Sequence, residues 1–132
     1  MPPSSSLDVL VLAAHPDDAE LACGGTLAKL TNEGHRVGLV DLTRGDLGTR
    51  GTPAIRAEEA TAAAEVLGLS LRENLGFRDG FFRHDEDHLR EVIRSVRRHR
   101  PRIVLTNAPE DRHPDHGRAA ALVREAAWLA VQ

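Results

Sequence analysis

Val9-Leu10-Val11-Leu12 is a run of four aliphatic residues without a polar interruption, and it constrains the fold more than any other segment. A strand with one wet face alternates apolar and polar residues. A continuous run bounded by turn residues reads instead as a strand covered on both sides, the situation of a central strand in a parallel sheet. Val37 to Thr43 and Ile103 to Thr106 read as two further strands. Between them lie helical patterns: Ala19 to Glu33 with Gly34 placed as a C-terminal cap, and a helix capped by Thr52, begun by Pro53 and ended by Gly68. Asp85 to Arg100 carries Leu89, Val92, Ile93 and Val96 at helical spacing with arginines opposite, and Pro101 stops it. His116 to Val131 reads as a largely buried, alanine-rich helix. Residues 69–83 predict one short strand and an ordered loop. Strands alternating with helices imply an α/β fold, a Rossmann-like three-layer sandwich with a mainly parallel sheet.

Residues 1–6 read as a flexible tail and residues 7–132 as one domain. The chain is long enough to bury a core. Its net charge of -3 gives no electrostatic case for nucleic acid, and the arginines of 90–102 fit a solvated helix face. No signal peptide and no segment of membrane-spanning length is present, so no membrane partner is expected. The lone Cys23 excludes an internal disulfide and fits a reducing, cytoplasmic setting; a packing role suits it better than metal ligation or nucleophilic attack. The chain stops close behind an apolar helix, with Trp128, Leu129 and Val131 in want of a cover, which reads as a C-terminus cut short or a core completed by association.

Two acid-and-histidine clusters carry the chemistry: His15-Pro16-Asp17-Asp18 directly after the first strand, and His113-Pro114-Asp115-His116 in the loop after the last. In doubly wound sheets the ligand crevice lies beyond the carboxyl ends of the strands, where strand order reverses. With the Val9 strand between the Val37 and Ile103 strands, residues a hundred positions apart meet there. His15, Asp18 and His116 then offer two imidazoles and a carboxylate to one ion, a set that suits zinc with an open position for water, and also ferrous iron. Asp17 is placed as general base toward that water. His113 can stabilise an oxyanion as a cation or protonate a leaving amine, with Asp115 fixing its tautomer and raising its pKa. Singly, either cluster could be a turn and a helix cap.

His35, His84, His88 and His99 read as surface residues. Gly24-Gly25 lacks the spacing of a dinucleotide fingerprint and suits close helix-on-sheet packing.

Ala14 to Glu20 together with His113 to His116 resembles the PIG-L/LmbE-type zinc-dependent N-acetylglucosamine deacetylases. The loop Thr43 to Thr52, followed by Ile55-Arg56-Ala57-Glu58-Glu59, is similar to that of the bacterial members that deacetylate N-acetylglucosaminyl-malate in bacillithiol synthesis. The resemblance spans about Leu7 to Ala130. It implies the same ligands and base, Arg56 holding the sugar or its anionic aglycone, and Asp79 hydrogen-bonding sugar hydroxyls. It also implies a small N-acetylated amino-sugar substrate and a homo-oligomer. Family members usually run well beyond 132 residues, the additional part supplying strands and part of the pocket. Amide hydrolysis is thus the expected activity, against two alternatives: a metal hydrolase of another class such as a phosphoesterase, and an inactive metal-binding or assembly fragment.

Overall fold

A computed structural model describes residues 6–48 and 51–132. The predicted tail therefore lies, apart from Ser6, outside the described residues, as do Thr49 and Arg50 of the glycine loop. The order is β1 (Val9–Ala13), α1 (Asp18–Asn32), β2 (Val37–Thr43), α2 (Pro53–Leu67), β3 (Leu71–Phe77), α3 (Glu86–His99), β4 (Ile103–Thr106) and α4 (Pro114–Ala130). The strands form one parallel sheet, β3-β2-β1-β4, with Val11 opposite Leu39 on one side and Leu105 on the other. β1 is the expected centre, and strand order reverses between it and β4.

Alternate residues of the buried strands feed two cores. Leu10, Leu12, Val40 and Leu42 pack with Phe82, Val92, Val96, Leu122, Val123 and Ala126 beneath α3 and α4. Val9, Val11, Val37 and Leu39 pack with Ala19 and Leu27 of α1 on the opposite face. These are the layers of a sandwich, and removing a fully buried leucine such as Leu12 would cost about 2–5 kcal/mol.

The helices end as their sequences require. Thr52 accepts from Ile55 N–H at 3.2 Å and Gly68 closes α2 at φ 71°. Asp85 accepts from His88 N–H at 3.0 Å, and Arg100 takes the left-handed closing position of α3 at φ 49° before Pro101. Arg97 reaches across to the carbonyls of Ala130 and Leu129, capping α4 from α3.

Several expectations need correction. β3 is a full seven-residue strand, and it enters the sheet carrying Arg72, whose guanidinium is buried against Asp41 of β2 (Nε to Oδ2 2.9 Å) and Glu20 of α1 (3.0 Å). Burial pushes the Asp41 carboxyl up to about 6, although Arg72 pulls against the shift. α1 is kinked at Cys23 (φ -143°), and a Cβ on Gly24 or Gly25 would meet nothing within 4 Å, so no close packing explains that pair. His99 is buried, its Nε2 2.8 Å from Glu73 Oε1, because α3 turns it onto the edge of β3. α4 is buried along one face only, and Trp128 stands 64% exposed.

Candidate functional site

The carboxyl ends of all four strands open into one cleft of about 320 Å³. After β1 the chain passes through His15 and Pro16 to Asp17, which adopts the left-handed conformation (φ 87°, ψ -27°) and precedes α1. Aspartate tolerates this region better than most residues, at a cost of about 1 kcal/mol or more, and such strain gathers at functional sites. The turn sends Asp18 back under His15, whose backbone N–H it accepts at 3.0 Å. Asp17 meanwhile lines the cleft with a carboxylate that makes no capping hydrogen bond.

Directly after β4 comes Asn107, which ties the two halves of the site together. Its Oδ1 accepts Ala14 N–H at 2.9 Å and its Nδ2 donates to Asp18 Oδ2 at 3.3 Å. The following loop leads to α4, whose N-cap is His113 and whose first turn brings up His116. Two expected ligand nitrogens thus converge on one carboxylate: His15 Nδ1 lies 3.3 Å and His116 Nε2 3.2 Å from Asp18 Oδ2. Donor atoms of all three residues lie within 4.8 Å of one another. The residues fit a divalent ion: the donor set is mixed nitrogen and oxygen, and the gathered negative charge calls for a cation. In its absence His15 holds a proton. Burial works against that charge, but hydrogen bonds to Asp18 and Asp115 and the charges of Asp18 and Asp79 outweigh it, and the ring is pushed up to about 9. Asp18 is affected reciprocally: burial raises it, but the His15 hydrogen bond and the charges of His15 and His116 carry it below the usual carboxylate range.

Each candidate ligand ring has an acid behind its other nitrogen. His116 Nδ1 lies 3.2 Å from Asp111 Oδ2, while Asp111 Oδ1 accepts His113 N–H at 2.9 Å. That N–H and the His116 ring hold Asp111 below the usual range. His15 Nε2 lies 2.8 Å from Asp115 Oδ2 and 3.1 Å from Asp79 Oδ1. Ligand histidines are commonly oriented in this way, the acid fixing the tautomer and raising the basicity of the coordinating nitrogen.

Asp115 differs from the expectation in how it acts. Its carboxylate serves His15, Gly80 N–H (3.0 Å) and Arg118 Nη1 (2.7 Å) rather than the His113 ring. Burial raises the group, but the His15 and Gly80 hydrogen bonds bring it below the usual range. It is the backbone N–H of Asp115 that reaches His113, donating to Nδ1 at 3.1 Å. A ring accepting there is neutral and carries its proton on Nε2, since protonating Nδ1 would set two donors against each other. His113 stacks on His116 (centroids 4.9 Å apart, 13° between planes) and lines the cleft.

The two remaining expected residues also line the cleft. Arg56 leans from α2 over Gly45 and Gly48, so closely that a Cβ on Gly48 would lie 2.5 Å from its Nη2. Asp79 is 7% exposed and accepts Leu47 N–H at 2.7 Å through Oδ2. The structure thus brings together all eight expected residues. It adds Asn107, Asp111, Gly80 and Arg118, which sequence reasoning missed. The one signal for Asp111 was an acid two residues before the second cluster, where a side chain can accept a backbone N–H two positions on.

The family model PIG-L, described as GlcNAc-PI de-N-acetylase, matches residues 10–127. The chain belongs to the PIG-L family. Diacetylchitobiose deacetylase of Thermococcus kodakarensis is 35% identical over 92% of this chain and 49% of its own length. A probable N-acetyl-α-D-glucosaminyl L-malate deacetylase 2 of Bacillus cereus is 35% identical over 82% of this chain and 55% of its own. Among solved structures, the conserved protein TT1542 of Thermus thermophilus superimposes with a TM-score of 0.89 at 47% identity, covering 93% of this chain and 56% of that one. GalB of Pseudomonas putida, a 4-carboxy-2-hydroxymuconate hydratase, does so at 0.79 and 33%, covering 92% and 55%. The chain spans about half the length of the curated relatives it matches. Among the described residues no helix is long and apolar enough to cross a membrane.

Proposed function

We propose that this site hydrolyses the acetamide of an N-acetylglucosaminyl substrate, with N-acetylglucosaminyl-malate the first substrate to test. The observation that carries the reading is the arrangement of Asp17 and His113. A carboxylate kept out of the surrounding hydrogen bonds and a ring with its N–H on Nε2 line one cleft, beside a three-donor set.

His15 Nδ1, Asp18 Oδ2 and His116 Nε2 would hold the ion, zinc by its donor set and ferrous iron as second choice. When bound, the ion supplies a Lewis acid that acidifies water and polarises the acetyl carbonyl. Asp17 takes the proton from the attacking water. His113 donates from Nε2–H to the oxygen that gains charge as the carbonyl becomes tetrahedral, a contribution worth roughly 3–4 kcal/mol at comparable sites. Asp17 then returns its proton to the amine nitrogen as the C–N bond breaks, leaving acetate and a free amino sugar. Arg56, seated on the loop glycines, faces the sugar or its anionic substituent. A reducing compartment such as the cytoplasm suits the half-buried thiol of Cys23, which burial and Glu20 push up from its ordinary value.

Hydration of a carbon–carbon double bond is the second reading, favoured by the likeness to the GalB hydratase. The test is acetate release from N-acetylglucosaminyl-malate and diacetylchitobiose by metal-loaded protein, with and without chelator. Chelator-sensitive acetate release supports deacetylation. Its absence, with consumption of an unsaturated tricarboxylate or release of phosphate from a phosphoester, would replace it. Metal binding without any turnover would identify a binding chain.

A further inference from the structure

We propose that Asp79 is a positioning residue, one carboxylate that sets the metal-binding face of His15 and the seat of the glycine loop together. Its two oxygens are divided between these tasks. Oδ1 lies 3.1 Å from His15 Nε2, and Oδ2 accepts Leu47 N–H at 2.7 Å. The neighbouring Gly80 extends the same hub. Its N–H donates to Asp115 Oδ2, the other acid on His15 Nε2, and its φ of 75° lets the turn bring both residues to bear. Leu47 lies against the glycine, where a Cβ would come 2.7 Å from its Cδ1. The turn after β3 therefore joins three segments that the sheet alone leaves separate: the loop after β1, the loop after β2 and the start of α4.

A carboxylate can only accept, so Asp79 and Asp115 together require a proton on His15 Nε2. With Nε2 so protonated, Nδ1, the nitrogen facing Asp18 and His116, is the one that gives up its hydrogen to ligate. Only 7% exposed and engaged at both oxygens, Asp79 meets substrate hydroxyls only secondarily. The inference rests on the metal-site reading above.

Two variants separate the two tasks. Asp79→Asn keeps an oxygen for Leu47 N–H but turns an amide donor toward His15 Nε2–H; Asp79→Ala loses both contacts. Zinc affinity is read by chelator competition, and loop opening by the rate of tryptic cleavage after Arg44, which is exposed. Both variants should bind zinc roughly 10–100-fold more weakly, the usual effect of losing an outer-shell acid. Only Asp79→Ala should be cleaved faster, roughly tenfold for one lost charge-assisted hydrogen bond. Unchanged zinc affinity in a folded Asp79→Asn, with only KM raised, would show a plain sugar contact and overturn the proposal. If wild-type protein binds no zinc, the metal-site reading itself fails, a different result. Should either variant not fold, nitrogen-15 spectra of the zinc-loaded wild type decide: the proposal requires the His15 proton on Nε2, and a proton on Nδ1 overturns it.

Discussion

Replacing Gly48 by alanine asks whether the glycines of the loop after β2 exist to seat Arg56. A Cβ there would lie 2.5 Å from Arg56 Nη2, 2.8 Å from Cζ and 3.1 Å from the Gly45 carbonyl oxygen. Ordinary contacts of this kind sit at about 3.5–4.0 Å, so something must yield. The Gly45 carbonyl is held by its 2.9 Å bond from Gly48 N–H, whereas the guanidinium is the far end of a flexible side chain. Arg56 is therefore the group that moves, and the fold persists. If Arg56 contributes one charge-assisted hydrogen bond to substrate, its displacement costs about 1.5–3 kcal/mol, or roughly a 10- to 150-fold rise in KM with a smaller change in kcat. Steady-state acetate release should show this for Gly48→Ala and for Arg56→Ala. In the double variant the alanine should add little, because the side chain it displaces is already gone. A full KM penalty for Gly48→Ala in the Arg56→Ala background would refute the reasoning, as would a Gly48→Ala variant with unchanged KM.

Asp17→Ala should keep one zinc per chain by elemental analysis while kcat falls about 10²–10⁴-fold, and full turnover would remove Asp17 as base. His116→Ala should instead lose the metal, measured on the same preparation; stoichiometric zinc would show that the ligand set is wrongly drawn. In metal-free protein His15 is pushed up to about 9 from an ordinary 6.5, so its pairing stabilises the fold fully below pH 6.5 and is lost as pH rises through 9. Thermal melts of the metal-free chain should accordingly drop between those values. The same proton competes with the ion, so zinc affinity should tighten by up to about tenfold per pH unit over this window, and a flat profile in chelator competition would contradict the assignment.

The parts of the fold that were legible are those where hydropathy decides. β1 is an uninterrupted apolar run and β2 and β4 are mostly apolar, and parallel pairing in the middle of the sheet follows from their lack of alternation. β3 was only partly legible because it brings a buried charge with it: Leu71-Arg72-Glu73-Asn74 looks like surface until Asp41 and Glu20 are known to meet Arg72. Its end is also irregular. The register shifts at Thr43, and Asn74 bridges the Thr43 carbonyl and Gly76 N–H at 2.7 Å each, bending the chain toward Asp79. His99 was readable in principle, since 92, 96 and 99 continue one buried stripe of α3. Its place near the helix C-terminus, where a cation is favourable, suits a surface ring equally well.

In the site, residue type could nominate His15, Asp18 and His116 as candidate ligands but not which edge of each ring faces Asp18. His15 and His116 use opposite nitrogens toward Asp18, Nδ1 in one and Nε2 in the other. The choice is made by what stands behind each ring: Asp79 and Asp115 behind His15, Asp111 behind His116. Asp111 carries no local pattern that separates it from an ordinary turn residue, and Asp79 and Asp115, though singled out, were not legible as partners of His15, which lies far from them in sequence. The same holds for His113, whose neutral tautomer follows from one backbone N–H and not from the neighbouring carboxylate. A ring in that state can hold an oxyanion by its Nε2–H but has no second proton to give. On the proposed reading, the proton delivered to the departing amine would be the one Asp17 took from water, which would make the base also the acid. Asp17→Asn, which can do neither, should therefore lose more turnover than His113→Ala, which removes only the oxyanion donor; the reverse order of kcat values would return the acid role to His113.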